Sequence, residues 1–269
     1  MKRILYLLIL SVAFTACSNN ESDQDAANNK PLDQSQALIH QFKPVINGVW
    51  VKKNYIKQLI KKKSPLAAAE RAIGITTMYI DTAKIKGDSL PVPAGWNNHE
   101  GNTVTLRFQP GKNTTTIELG TDELSYTIKN GDTTLIIYHY DRDTKETSSA
   151  KYIKAMDKQP AGDVAYAMNY MINHGIIAGK YQATDSRGKA STVQFTDDGK
   201  VSGFPGFSTY FIQNDLSAGP KNDFDEIIFN PKGSGQTSYA FTIGGKNITL
   251  YDVKAGKQGD LKYKLVRKR

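Results

Sequence analysis

A chain of 269 residues with 35 basic against 26 acidic side chains and a single cysteine can form no internal disulfide framework. Its net charge of +9 favours anionic partners without naming one. Its longest apolar run, Ile4 to Phe14 broken only by Ser11, falls short of the roughly 18 to 20 residues that span a bilayer, which excludes a transmembrane-helix protein.

In chain order, Lys2 and Arg3 precede that run, which ends in the small residues Thr15 and Ala16 before Cys17. A basic start, a short apolar segment and small residues at its end predict an export signal over 1–16. The segment Phe14-Thr15-Ala16-Cys17 resembles the bacterial lipobox, whose cysteine is acylated after the chain is cut before it. The resemblance implies a lipid on Cys17 and a protein held at the outer membrane of a Gram-negative envelope, facing the periplasm or the surface. Beyond Cys17 the chain is rich in Asn, Ser, Asp and Glu, which predicts a flexible tether over 17–36. Export argues against nucleic acid as a partner.

From residue 37 the pattern is mainly β. Short runs of apolar and β-branched residues predict strands at 48–53, 75–80, 83–88, 102–108, 114–120, 122–130, 132–140 and 149–155. A helical insertion follows the first of these. Tyr55, Ile56, Leu59 and Ile60 share one helical stripe ahead of Lys61, Lys62 and Lys63, and Ser64-Pro65 opens a second short helix that ends at Gly74. A linking helix is predicted after Asp163, with Val164, Ala167, Met168 and Met171 on one face and Gly175 closing it. Strands then follow at 179–184, 191–196, 200–204, 207–214, 225–230, 238–244, 246–253 and 261–268, with Asp197-Asp198-Gly199 and Gly244-Gly245 as turns.

The two strand series are copies of one pattern. Thr127-Ile128 and Thr134-Leu135 recur without a gap as Thr242-Ile243 and Thr249-Leu250, and Asp81, Lys84 and Gly87 recur as Asp197, Lys200 and Gly203. The expected organisation is a first domain over 37–158 with a helical insertion, then a connecting helix and a second domain over 159–269. Eight short strands with tight turns describe an up-and-down antiparallel barrel, and a two-sheet β-sandwich would read similarly. The openings Gly48-Val49-Trp50 and Gly179-Lys180-Tyr181, each ahead of such a series, resemble those of the lipocalin-like (calycin) barrels. That resemblance implies tandem eight-stranded barrels that bind a small molecule inside or a macromolecule at the rim.

Chemistry is sparse. Cys17 is assigned to lipid, no Cys, His and carboxylate spacing suits a metal, and no phosphate-binding glycine motif is present, so neither an enzyme nor a cofactor is expected. His139 shares the strand face of Leu135 and Ile137 and reads as a core histidine. Trp96 and His99 lie in a polar-aromatic loop that can form a binding lip. Phe204, Phe207 and Tyr210 sit among glycines and a proline on an apparent turn, where rigid aromatics suit stacking on sugars or lining a barrel mouth. The expected function is an envelope lipoprotein that binds a small apolar or glycan ligand. The alternative is a structural or inhibitory module meeting an anionic envelope component or macromolecule through its lysines.

Overall fold

The computed structural model describes residues 34–113, 115–216, 219, 222–233 and 235–268. The predicted signal, Cys17 and nearly all of the predicted tether lie outside them. The first eight strands are β1 (Gly48–Lys52), β2 (Ile75–Ile80), β3 (Ser89–Trp96), β4 (Glu100–Pro110), β5 (Ile117–Leu119), β6 (Asp122–Lys129), β7 (Asp132–Tyr140) and β8 (Thr147–Met156). Each pairs antiparallel with the next, and β8 returns to β1 through Trp50↔Lys154 and Val51↔Ile153, closing barrel 1.

The second eight repeat the meander: β9 (Gly179–Asp185), β10 (Ala190–Phe195), β11 (Val201–Ser202), β12 (Tyr210–Ile212), β13 (Asp225–Phe229), β14 (Thr237–Gly244), β15 (Asn247–Lys254) and β16 (Lys257–Arg267). Strand β16 returns to β9 through Leu265↔Ala183, while β11 and β12 are joined by the isolated bridge Lys200↔Thr209. The sequence repeat is a repeat of register. Thr127 pairs with Thr134 in the β6–β7 hairpin as Thr242 pairs with Thr249 in β14–β15.

The two glycine-led openings are equivalent in detail. Trp50 Nε1 donates to the Ile46 carbonyl at 2.7 Å, and Tyr181 Oη donates to the Ile177 carbonyl at 2.8 Å, each reaching back four residues. Gly48 and Gly179 have φ of 131° and 145°, a region that side-chain-bearing residues avoid. A Cβ on Gly48 would lie 2.5 Å from Lys154 Cε, and one on Gly179 would lie 3.0 Å from Arg267 Nη1. Glycine at this place thus lets a basic side chain of the closing strand cross the start of the first one.

The structure departs from the sequence reading in three main ways. The predicted strand 83–88 is instead a 3-10 turn over Thr82–Lys84, and the third strand runs through Pro91 and Pro93. Those prolines pair only with β4, because β2 meets β3 just from Ala94 to Trp96, so their missing N–H groups fall on a local edge. Residues read as the end of the tether open a helix, α1 (Gln34–Ile46), whose Leu38, Phe42 and Ile46 recur every four positions and enter the core of barrel 1. Phe42 meets Tyr126 edge-on at 5.2 Å. Third, β11 and β12 are shorter than the strands read at 200–204 and 207–214.

The insertion forms α2 (Lys53–Lys62) and a 3-10 turn over Leu66–Arg71, whose start is capped by Ser64 Oγ accepting from the Ala67 N–H at 2.9 Å. The linking helix is α3 (Tyr166–Ile176), which buries Met168, Ile172 and Ile176 along one stripe. Strand β1 is buried on both faces. Trp50 points into barrel 1, whereas Val49 and Val51 join α2, α3 and the interior of barrel 2 in one continuous core. Residues Gln34–Arg269 are accordingly a single compact unit.

Candidate functional site

At one end of barrel 1 the inward parity of six strands places Ile75, Trp96, Val104, Leu119, Ile137 and Tyr152 around a cavity of about 640 Å³. The opposite end is occupied by α1, and the cavity lies at the end where the strands connect through α2 and three hairpin turns. Polar side chains stand at this mouth, among them Lys52, Asp122, His139 and Ser148. These four lie one inward step beyond an apolar or small residue, Lys52 after Trp50, His139 after Ile137, Asp122 before Leu124 and Ser148 before Ala150, so the same parity that fills the core sets the polar rim.

The rim is partly prewired. His139 Nδ1 lies 2.7 Å from Asp122 Oδ1, and its imidazole is 57% exposed. The sequence reading of a core histidine is thus corrected: the face is right, but β7 runs past the core and delivers the ring to the mouth. Ser148 is the cross-strand partner of His139, and the hydrogen bonds of the described residues include none between them. Tyr152 Oη donates to the Ile75 carbonyl at 2.8 Å, and burial pushes its hydroxyl well above the ordinary tyrosine range. Lys52 Nζ donates to the Ile73 carbonyl, and burial lowers its pKa from the usual lysine value. At the outer lip Glu70 pairs with Arg71 at 3.2 Å, beside Ile73, which is 68% exposed.

A tight turn fixes the aromatic wall. Asn97 and Asn98 both take φ of 55°, which asparagine tolerates, and the His99 N–H returns to the Trp96 carbonyl at 2.9 Å. Asn97 Oδ1 accepts from the Gly74 N–H at 2.8 Å and its own N–H donates to the Gly74 carbonyl at 3.0 Å, holding the loop before β2 over the mouth. The predicted lip therefore divides. Trp96 lines the cavity, whereas His99 turns towards barrel 2, where its Nδ1 lies 2.6 Å from Asp215 Oδ2. That hydrogen bond, reinforced by the Asp215 charge, raises the imidazole pKa above its ordinary value. Asn98 Nδ2 donates beside it to the Asn214 carbonyl at 3.3 Å.

No family model matches the chain, and no curated protein matches it. Among the described residues no cluster of three or more His, Cys, Asp or Glu is placed to hold a metal ion, and no helix is long and apolar enough to cross a membrane.

The second aromatic group expected as a lip is core. Phe204 and Tyr210 are buried, and Phe207 packs against the same cluster. Phe204 meets Tyr263 edge-on at 4.8 Å, Phe207 stacks on Phe229 at 4.5 Å, and Tyr210 meets Phe195 at 5.1 Å. Phe204-Pro205-Gly206-Phe207 is a real turn, closed by the Phe207 N–H on the Phe204 carbonyl at 3.2 Å, but it folds inward. Gly203 makes that possible, since a Cβ there would lie 1.9 Å from the Thr192 carbonyl oxygen. The two barrels have diverged in this respect. Barrel 2 packs its interior with interlocking rings, while barrel 1 keeps a space at its mouth.

In the sequence Trp96 stands out and Lys52 reads as one of the lysines that meet an anionic envelope component, while Asp122 and Ser148 carry no mark. The available signal was positional: polar residues extending an inward strand face, all at the same barrel end.

Proposed function

We propose that this chain is an exported envelope lipoprotein, anchored through Cys17, that captures a small apolar or glycan ligand in the mouth of the first of two lipocalin-like barrels. The single observation that carries this reading is the cavity of about 640 Å³ in barrel 1, an apolar wall beneath a polar rim. Concave sites of roughly 300–1,000 Å³ are where small molecules bind in general. Binding rather than catalysis is favoured because the Asp122–His139 pair stops short of Ser148 and so orients a ring without activating a nucleophile. Ile137→Trp places an indole into the cavity from its wall. Native mass spectrometry of the protein from its own host, followed by titration with extracted envelope lipids and glycans, is expected to show a bound species that this variant loses at least tenfold. An unchanged bound mass in Ile137→Trp rules the cavity out as the site.

A basic surface supports a second reading, a module docking on an anionic envelope component. Lys53, Lys57, Lys61 and Lys62 of α2 are exposed, and none is among the ion pairs of the described residues. Like charges four apart on a helix cost about 0.2–0.5 kcal/mol per pair, so this stripe is a standing expense that an anionic partner relieves. One fractionation separates anchor from surface. Cys17→Ala is expected to release the protein from membranes; retention of the variant would reject the lipid anchor and leave the lysine surface as the tether.

A further inference from the structure

We infer that the ligand of the barrel 1 mouth is an anionic amphiphile, a carboxylate on an apolar chain, with Lys52 as the residue that selects the charge. This rests on the binding reading above and narrows it. The ammonium of Lys52 points along the inward parity of β1 into the mouth and is partly buried there. Its one hydrogen bond among the described residues goes to the Ile73 carbonyl. A lysine has three N–H donors, so the rest depend on solvent or ligand.

The carboxylates of the mouth already have partners. Asp122 faces His139 at 2.7 Å and Glu70 faces Arg71 at 3.2 Å. No carboxylate forms an ion pair with Lys52 among the described residues. Lys151 also borders the cavity but is exposed and belongs to the outward parity of β8, opposite to that of Tyr152. A neutral ligand filling the mouth would strip water from the free donors of Lys52 and leave them unsatisfied, which costs affinity. An anionic head replaces that water with a charge-assisted hydrogen bond while the chain lies against Ile75, Leu119 and Ile137.

The chain has two tryptophans, Trp50 in the core of barrel 1 and Trp96 in the cavity wall, so intrinsic fluorescence reports occupancy directly. Dodecanoate and dodecanol, matched in length and differing in charge, are titrated into the unacylated full chain at neutral pH. Dodecanoate is expected to bind at least tenfold more tightly; Lys52→Met is expected to abolish that preference while keeping dodecanol affinity, and Lys52→Arg to retain it. Equal affinities in the unmutated chain, or a Lys52→Met loss that is the same for both compounds, overturn the inference and leave the cavity reading standing. Binding of neither compound also overturns the inference and leaves only the glycan form of the cavity reading standing. The comparison within the unmutated chain decides even where a variant fails to fold.

Discussion

Phe229→Ala is expected to destabilise the protein by about 3–5 kcal/mol, the cost of deleting a buried aromatic ring and leaving a cavity behind. The ring is fully buried and lies within 4.5–6.3 Å, centre to centre, of Phe195, Phe204, Phe207 and Tyr239. No small shift of one neighbour can fill the space, because each neighbour is itself held by other rings. For a unit of this size the loss corresponds to a fall of roughly 6–20 °C in Tm. Phe207→Ala, at the partly buried end of the same stack, is expected to fall by less. Thermal melts of the two variants check this, and a Phe229→Ala melt superimposable on that of the unmutated chain would show that barrel 2 is not held together by its rings. The same experiment separates packing from binding for Phe207, since a packing ring moves the melt and leaves ligand titrations of barrel 1 unchanged.

Ile172→Asp is expected to be more damaging at neutral pH than any aromatic truncation, about 4–5 kcal/mol or more, because it adds an unpaired charge to lost apolar burial. Ile172 is fully buried on α3, in the layer where α2, the outer face of β1 and the interior of barrel 2 meet. The penalty has a defined pH dependence. Burial disfavours the charged form, so the introduced carboxyl has a folded pKa above its unfolded value of about 3.9. The charge penalty is therefore absent below about pH 4 and grows as pH rises through the interval up to the folded pKa. Denaturant titrations of variant and unmutated chain at acidic and neutral pH are expected to differ most at neutral pH; a small, pH-independent difference would contradict the shared core. Both tryptophans belong to barrel 1, so their fluorescence transition is expected to coincide with the far-ultraviolet dichroism transition of the whole chain if the layer couples the barrels.

Much of this architecture was legible before any coordinates. Strands β13 to β15 fall within a residue or so of their sequence ranges, because alternating β-branched residues between Gly and Asn turns leave little freedom of register. The stripe of α2 was read correctly apart from Ile60, which is 37% exposed at its margin. Errors came where a local rule met a tertiary exception. The true third strand carries Pro91 and Pro93, residues that paired strands avoid, and the limited reach of β2 beside them is a property of the closed sheet rather than of the segment. The polar stretch before residue 37 concealed a helix start, since one Leu, one Phe and one Ile at four-residue spacing become a stripe only when a barrel end is open to receive them.

The sequence by itself determined the mainly β composition, the internal repeat, the glycine-led openings and the order of the strands, because those depend on period-two patterning and turn chemistry within a few residues. Only the tertiary structure decided which end of barrel 1 is filled and which is open, and whether an aromatic beside a glycine faces water or core. It likewise decided that Lys52 of β1 shares one mouth with Asp122 and His139 of the distant β6–β7 hairpin. The physical reason is closure: parity assigns each side chain to a face, but only a closed sheet turns one face into an interior, and only what occupies that interior separates a packed core from a cavity.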